Sequence, residues 1–592
     1  MEGDEIFSDN LEVAEKLNNF FIDTVENLDI ERFETTEQHT ELSDIIDDIL
    51  EQYDHHPSIL KINENVKLDG KFTFKDIGEK NVNEVLYSLD PKKAGVVNDI
   101  PVKILRGSGV VIASYLSKMF NTSKNEGNFP AALKKGTVIP INKKTTRTVL
   151  KKDYRPVNLL PNVSKIYERN MFEQTYEYID KFLSPYLFGY RKGRSTEQCL
   201  AIMIEVWKKA LDSFSKAGAV LTDLSKAFDC LNHKLLLAKL NAYGFDRNAL
   251  TFIYDYLKGR KQRTKVNGTC SSWRDVNYGV PQGSILGPLL FNIFINDIFL
   301  FMKDAKIANY ADDNTAYSVG KSIHDLLAKL ENETSVILEW FRLNEMKSND
   351  DKCNLIVAKN DNLNINVGHE QIESCKSVDL LGIKIDNQLK FDEHVRNMIK
   401  KGNQKFHALA RISKYLNQDK LKLLMKAFIQ SQFNYCPLVW MFHSRTLNNK
   451  INRLHERALR LVYKNDELSF NELLKLDDSV TVHHRNLQRL SIEMFKVKNN
   501  IAPMPFQEIF EDQSYSHEIR TERSWQVPKV RTVAYGTESI RYRGPATWEL
   551  IPKDIRNSET LLIFKKEIKS WKPTNCACRL CKTFVPKLGF IN

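Results

Sequence analysis

Basic residues are all but missing from the first sixty positions, where 18 acidic residues stand against 2 basic ones, a net charge of −16. Cysteine is sparse. The nine cysteines in 592 residues are an odd number, mostly isolated within apolar stretches. That excludes a secreted disulfide scaffold and points to a reducing compartment. The N-terminus, MEGDEIFSDN, lacks the positive region and apolar core of a secretory signal. Long uninterrupted apolar runs are also lacking. The nearest, ILGPLLFNIFINDIFLFM at 285–302, contains Asn292, Asn296 and Asp297, which are costly at a bilayer centre. It is expected to form a buried core helix and not a membrane span. There is no internal repeat and no low-complexity tract, and 42% apolar residues is ordinary globular composition. Collagen and disorder throughout are therefore excluded.

What is present is charge of the opposite sign. Residues 61–592 hold 84 basic and 57 acidic residues, a net of +27. A large basic body is the footprint of a nucleic-acid binder. The length corresponds to roughly three or four domain-sized units.

Hydropathy patterning divides the chain further. Leu17, Phe20, Phe21 and Val25 recur at helical spacing within an acidic, linker-like lead-in over 1–74. From about 74 a helix is predicted, stopped at Pro91 and followed by a Lys/Gly loop. GTVIPINKK reads as a short strand ending in positive charge. DYRPVNLLP reads as extended, because Pro156 and Pro161 disfavour helix around them. A helix follows from about Ser164 to Phe182. Ala219–Leu221 begin a buried strand that ends at an acidic residue, and 307–319 (IANYADDNTAYSV) has the pattern of a hairpin with an acidic turn. Ile323, Leu326, Leu330, Ile337 and Phe341 make one helical stripe, and Leu421, Leu424, Phe428 and Phe433 mark another helix. The pattern is α+β over 75–390, mostly helical over 395–500, and less regular over 515–575.

Three carboxylates stand where a carboxylate is uncomfortable. Asp223 directly follows the apolar run AVLT. Asp312 and Asp313 are adjacent at the tip of an apolar hairpin, where like charges repel unless a cation sits between them. Hard oxygen ligands select Mg²⁺, which keeps positions open for waters and substrate phosphates. Two such ions about 4 Å apart serve phosphoryl transfer. A bare pair of aspartates is more often an exposed turn; the surrounding motifs carry the case.

Those motifs run in chain order: DYRPVNLLPNVSKIYE (153–168), FGYRKGRSTEQ (188–198), LTDLSKAFDCLNH (221–233), YGVPQGSILGPLLFNIFIND (278–297), YADD (310–313), WFRLNEMKSNDDKC (340–353) and LLGIKID (380–386). Together they closely resemble the reverse transcriptase of non-LTR, LINE-type retrotransposons of the jockey or chicken-repeat kind. The resemblance covers about 75–390 and continues more weakly beyond.

The resemblance implies a right-hand polymerase of fingers, palm and thumb. Fingers and palm take 75–390 (core about 130–386), a helical thumb-like region 391–500, and a C-terminal extension 501–592. It makes Asp223, Asp312 and Asp313 the catalytic metal ligands, with the backbone carbonyl of Leu224 as an extra one. Phe228 takes the place of the ring that packs under the sugar and selects deoxynucleotides. Gln282 lies near the incoming nucleotide, Gly283 and Tyr310 near template and primer. Lys143, Lys144 and Arg155 fall where the family neutralises the triphosphate, a task suited to paired guanidinium bonds and ammonium point charges. Arg191 and Arg194 fit the template backbone, as does Lys192. Lys347 is assigned to the pyrophosphate leaving group. Asp229, Asn232 and His233 are expected to cap or brace the following helix.

Beyond the palm, KINRLHERALRLVY (450–463) places Ile451, Leu454, Ala458 and Leu461 on one helical face. Lys450, Arg453, Arg457 and Arg460 make a basic stripe beside it, in a position to track duplex phosphates. Cys576, Cys578 and Cys581 form C-x-C-x2-C. Zinc is not expected there, because a structural site needs four ligands and the fourth must come from elsewhere, such as His483 or His484. Residues 515–571 resemble the C-terminal extension of this retrotransposon group, read as an accessory or RNA-contacting region.

The function expected is RNA-directed DNA polymerisation: two-Mg²⁺ transfer of dNTPs onto a primer 3′-hydroxyl, with Mn²⁺ as an alternative ion. RNA template, DNA primer, RNA–DNA hybrid and dNTPs are the expected partners, with no membrane. An intracellular, nuclear location follows from the family, with the cytoplasm as the alternative. Complete relatives carry an endonuclease before the polymerase, and about 75 residues are too few for a module of roughly two hundred. The chain is therefore expected to lack its own endonuclease. The competing reading is a catalytically inactive nucleic-acid-binding remnant.

Overall fold

The computed structural model describes residues 9–28, 30, 42–92, 95, 96, 99–143, 150–349, 353–368, 370–513, 525–573, 576 and 578–580. The chain divides into two compact units, each built from segments far apart in sequence. One takes Met1–Tyr190, Asp223–Lys303 and Ser335–Asp351; the other takes Arg191–Thr222, Asp304–Thr334 and Lys352–Asn592. Both mix helices and strands, as the patterning predicts.

In the first unit the described part of the acidic lead-in is largely helical. The helix Asn10–Glu26 starts at Asp9, whose carboxylate accepts the Glu12 N–H at 2.8 Å. Such a cap satisfies one of the orphan donors of a first helical turn. Leu17, Phe21 and Val25 are buried as the spacing requires. Leu17 and Phe21 pack on Val138 of the neighbouring sheet. The acid side chains also find partners there: Asp23 pairs with Arg274 at 2.7 Å, and Glu15 accepts from Ser272 N at 2.6 Å.

That sheet places Lys135–Asn142 antiparallel to Tyr154–Leu159 and parallel to Arg260–Val266. Pro140 faces Pro156 across the antiparallel pair, and pairing with Arg260–Val266 covers only Lys135–Val138. The proline therefore costs no bond on that second side. The apolar stretch forms the buried helix Gly287–Ile295 and the turn Asn296–Leu300. Its polar groups are satisfied inside the protein. Asn292 donates to Gly189 O at 2.9 Å, and Asn296 donates to Tyr243 Oη at 2.8 Å. Asp297 pairs with Lys239 at 2.6 Å. Among the described residues no helix is long and apolar enough to cross a membrane.

The second unit centres on a four-stranded antiparallel sheet in the order Lys306–Tyr310, Asp313–Gly320, Lys216–Thr222, Asn354–Val357. Ala217, Ala219 and Leu221 face the helix Thr196–Asp212 in one apolar core. The mostly helical reading of 395–500 is matched by Asp392–Ile412, Gln418–Leu424, Arg445–Tyr463, Phe470–Leu476 and Val482–Lys498.

The C-terminal extension is more regular than its sequence, and it is packed into this unit. Its helices Ile540–Trp548 and Leu561–Ser570 bury Trp548, Phe564 and Ile568. Phe564 stacks on Phe495 with centroids 4.4 Å apart. Three buried ionisable side chains of the helix Thr196–Asp212 find their partners here. Glu205 accepts the N–H groups of Ile540 and Arg541 at 2.9 and 3.1 Å. Lys208 donates to Glu538 O at 2.7 Å, and Asp212 receives the Arg541 guanidinium at 2.8 Å. Ions that deep are tolerated only when paired and hydrogen-bonded.

Buried histidines set an acid limit on the fold. Burial pushes His233 and His443 down to about 4 and His455 to about 3. The unfolded chain takes up protons below its ordinary value of 6.5, while the folded chain keeps these rings neutral. Their contribution is full above pH 6.5 and is lost as pH falls toward 4. Urea midpoints measured from pH 7 to 5 should fall, and less steeply for His455→Gln. Equal slopes in the two proteins would remove His455 from the account.

Candidate active site

The central strand Lys216–Thr222 ends with Thr222 opposite Asn314, and Asp223 is the next residue of the chain. Asp223 is half-buried. Its carboxylate accepts from Asn349 Nδ2 at 3.2 Å, and its carbonyl accepts the Asn349 N–H at 2.8 Å. Ser225 N donates to Lys347 O at 2.9 Å, and Leu224 bridges Ser348. The segment 347–349 thus lies antiparallel to 223–225, which brings the backbone of Lys347 beside the segment that carries Asp223. Asn349 had no sequence signal of its own, because its partner is 126 residues away.

The acidic turn is tight. Tyr310 pairs with Asp313, leaving Ala311 and Asp312 as the two turn residues. Ala311 has φ +61°, the left-handed region that L-residues enter at a cost. Two buried asparagines hold it there. Asn309 Nδ2 donates to Ala311 O at 3.0 Å and to Asn314 Oδ1 at 2.8 Å. Asn314 Nδ2 donates to Asp312 O at 3.3 Å, and Thr222 Oγ1 donates to Asn314 O at 3.3 Å. Sequence reasoning missed both; the only available sign was an Asn on each side of YADD. Their bonds fix the backbone, so the adjacent carboxylates of Asp312 and Asp313 cannot separate by moving the turn. Cys199, on the helix Thr196–Asp212, donates to Asn309 O of this hairpin at 3.9 Å and is fully buried, and burial pushes its thiol well up. It is packing and not a nucleophile.

The loop 279–283 is held between two backbones. Gly279 (φ +76°) donates to Leu231 O, and a Cβ there would stand 2.5 Å from Asp229 O. Gly283 would bring a Cβ to 2.2 Å from Asn158 O. Only glycine allows both approaches. Gln282 accepts the Asn158 N–H at 2.9 Å through its carbonyl, and its Nε2 donates to both Asp229 oxygens at 2.8 and 2.9 Å. Burial pushes the Asp229 carboxyl up, opposed by Lys226 and Gln282. Phe228 is half-buried and stacked on Phe291 at 4.3 Å, with Tyr190 edge-on at 5.6 Å. Asn232 caps the helix His233–Ala242, and His233 Nε2 lies 2.7 Å from Gly279 O. Both are therefore bracing groups, as expected. A cavity in the first unit is lined by Phe21, Ile22, Val25, Asn158, Asp229 and Gln282.

Among the basic residues, Lys143 and Arg155 are exposed at the same end of one strand pair, where Ile141 faces Arg155. Lys144 lies outside the described residues. Arg191 is buried, Arg194 half-buried and Lys192 exposed. On the helix Arg445–Tyr463, Lys450 and Arg453 are exposed, while Ile451, Leu454 and Ala458 are buried. Leu461 is only half-buried. Arg457 sits 4.3 Å over the Phe406 ring. Arg460 is half-buried, ion-paired to Glu456 at 2.9 Å and bonded to the Asp466 carbonyl. The stripe is thus uneven: its C-terminal half is engaged within the protein. At the tail, Cys576 and Cys578 come together with His483; Cys581 lies outside the described residues.

Residues 141–385 match the family described as "Reverse transcriptase (RNA-dependent DNA polymerase)". Every residue discussed above from the acidic hairpin, the 279–283 loop and the Asp223 segment falls inside this stretch. The chain is 26% identical over 401 residues to the RNA-directed DNA polymerase from mobile element jockey of Drosophila funebris, covering 65% of this chain and 43% of that protein. It is 27% identical over 403 residues to the Drosophila melanogaster jockey polymerase, covering 65% and 43%. To the probable RNA-directed DNA polymerase from transposon BS of Drosophila melanogaster it is 23% identical over 448 residues, covering 73% and 47%. Over about two thirds of its length the chain is thus similar to RNA-directed DNA polymerases of the jockey and BS elements. It spans less than half the length of these curated relatives.

Proposed function

We propose that the chain is an RNA-directed DNA polymerase of a jockey-like, non-LTR retrotransposon, acting in the nucleus on an RNA template and a primer 3′-hydroxyl. One observation supports this most: the register that sets Thr222, just before Asp223, against Asn314, just after Asp313. In this reading 75–390 serve as fingers and palm and 391–500 as thumb. Asp223, Asp312, Asp313 and the Leu224 carbonyl offer only hard oxygen donors, a set that fits Mg²⁺ or Mn²⁺ and not a thiophilic ion. Ions held there would activate the attacking hydroxyl and stabilise the leaving oxygen.

The chain's own groups supply the rest. Lys143, Lys144 and Arg155 draw in the triphosphate. Gln282, fixed by Asp229, stands by the incoming base. Lys347 serves the departing pyrophosphate. Arg191, Arg194, Gly283 and Tyr310 contact template and primer, with Lys450 and Arg453 leading the thumb contacts and Arg457 and Arg460 contributing where they can leave their internal partners. The test is primer extension by the purified chain on a homopolymer RNA template. Folded protein that binds RNA in a salt-sensitive way yet incorporates nothing with Mg²⁺ or Mn²⁺ would select the inactive remnant instead.

Phe228 provides a sharper check. Its ring is held by stacking on Phe291, so it cannot swing aside for a 2′-hydroxyl. Phe228→Ala should admit ribonucleotides and lower the preference for dNTP over rNTP. An active variant with unchanged preference would make Phe228 a packing residue only.

A further inference from the structure

We propose that His483, Cys576 and Cys578 bind a zinc ion that fastens the C-terminal segment to the helix Val482–Lys498. The ligand atoms of these three residues all lie within 4.8 Å of one another. His483 Nε2 and Cys578 Sγ are 3.1 Å apart, from residues 95 positions apart in the chain. Zinc bonds of about 2.0–2.1 Å to nitrogen and 2.3 Å to sulfur give tetrahedral edges of roughly 3.6–3.8 Å. The existing spread thus needs adjustments on the order of 1 Å to match. Two thiolates and an imidazole select zinc over magnesium or calcium.

The site is built from held parts. His483 stands in the first turn of its helix, which Thr481 caps, and is buried, as is Cys578. Its second ring nitrogen, Nδ1, is buried without a hydrogen-bond partner. The cysteine segment is anchored on both sides. Gln488 Nε2 donates to Trp571 O at 2.8 Å, and the Arg579 guanidinium donates to His443 O at 3.3 Å. Three protein ligands leave the fourth tetrahedral position to a water or another donor. Of the two remote histidines that the sequence offers, His483 and not His484 joins this cluster. An ion here would also tie down the extension that supplies partners for Glu205, Lys208 and Asp212.

The full chain, purified without chelator from zinc-supplemented cells, should carry one zinc per molecule by elemental mass spectrometry. His483→Gln and Cys578→Ser should lose it. Cys270→Ser and His484→Gln should keep it. Chelation should make the C-terminal segment of the wild type sensitive to limited proteolysis. Cobalt(II) loading of the wild type should produce thiolate-to-metal absorption, a readout independent of any variant's folding. A folded wild-type chain without zinc, cobalt loading without that absorption, or full zinc in His483→Gln overturns the proposal.

Discussion

Asp312→Asn should lose primer extension by roughly 100-fold or more, the scale of removing one electrostatic stabiliser of a transition state. The substitution keeps the size of the side chain. It also leaves the turn intact, because Asn314 bonds the Asp312 carbonyl and not its carboxylate. Two adjacent carboxylates become one, so repulsion at the hairpin tip falls and the thermal midpoint should hold or rise. The pairing of lost activity with kept stability identifies a group placed for chemistry at the expense of the fold. A variant that extends primers at the wild-type rate would leave this carboxylate without a chemical role.

Asp297→Asn should cause the largest loss of stability. Lys239 and Asp297 are both fully buried and 2.6 Å apart. The ammonium also donates to Phe294 O at 2.7 Å and Asn344 Oδ1 at 2.6 Å, and Asp297 receives the Trp340 indole N–H at 2.8 Å. Removing one partner of such a pair leaves an uncompensated buried charge and costs about 3–5 kcal/mol. Burial already pushes Lys239 down to about 8 from 10.5, against the pull of Asp297. Between those values the unfolded chain binds the extra proton, so this group's contribution to stability rises as pH climbs through 8. The deficit of Asp297→Asn should therefore shrink in alkali, where a neutral amine needs no counterion. Urea titrations at pH 7 and 9 measure both effects. Adding Lys239→Met to the same chain should restore part of the loss; a double variant worse than the single would refute the charge argument.

What the sequence disclosed and what it hid separate by distance along the chain. Asp223, Asp312 and Asp313, the Phe228 ring and the loop at 279–283 each sit in a short motif, so the roles proposed for them are legible within a dozen residues. Asn292, Asn296 and Asp297 argued against a membrane span without naming their partners. The acidic lead-in looked like a linker, yet Asp23 meets Arg274 across 251 positions. Asn309 and Asn314 were passed over because a buried amide that braces a turn has the same composition as one that lies on a surface. The extension at 515–575 looked irregular, whereas its described residues 525–573 draw their order from packing against the helices Thr196–Asp212 and Val482–Lys498. Its helix Ile540–Trp548 contains Pro545 and has no apolar stripe to announce it.

That packing also sets a clock on synthesis. Ile540, whose N–H meets Glu205, follows it by 335 residues. At the ribosome's pace of roughly 5–20 residues per second, the interval between the two is on the order of 15 to 70 seconds. For part of it the nascent chain, already translated past residue 385, the last of the matched stretch, carries Glu205, Lys208 and Asp212 without the groups that bond and cover them. The helix must wait with that face in water or in the hands of a chaperone. A message that ends before codon 538 would release a chain holding the whole matched stretch, 141–385, without the partners of Glu205 and Lys208.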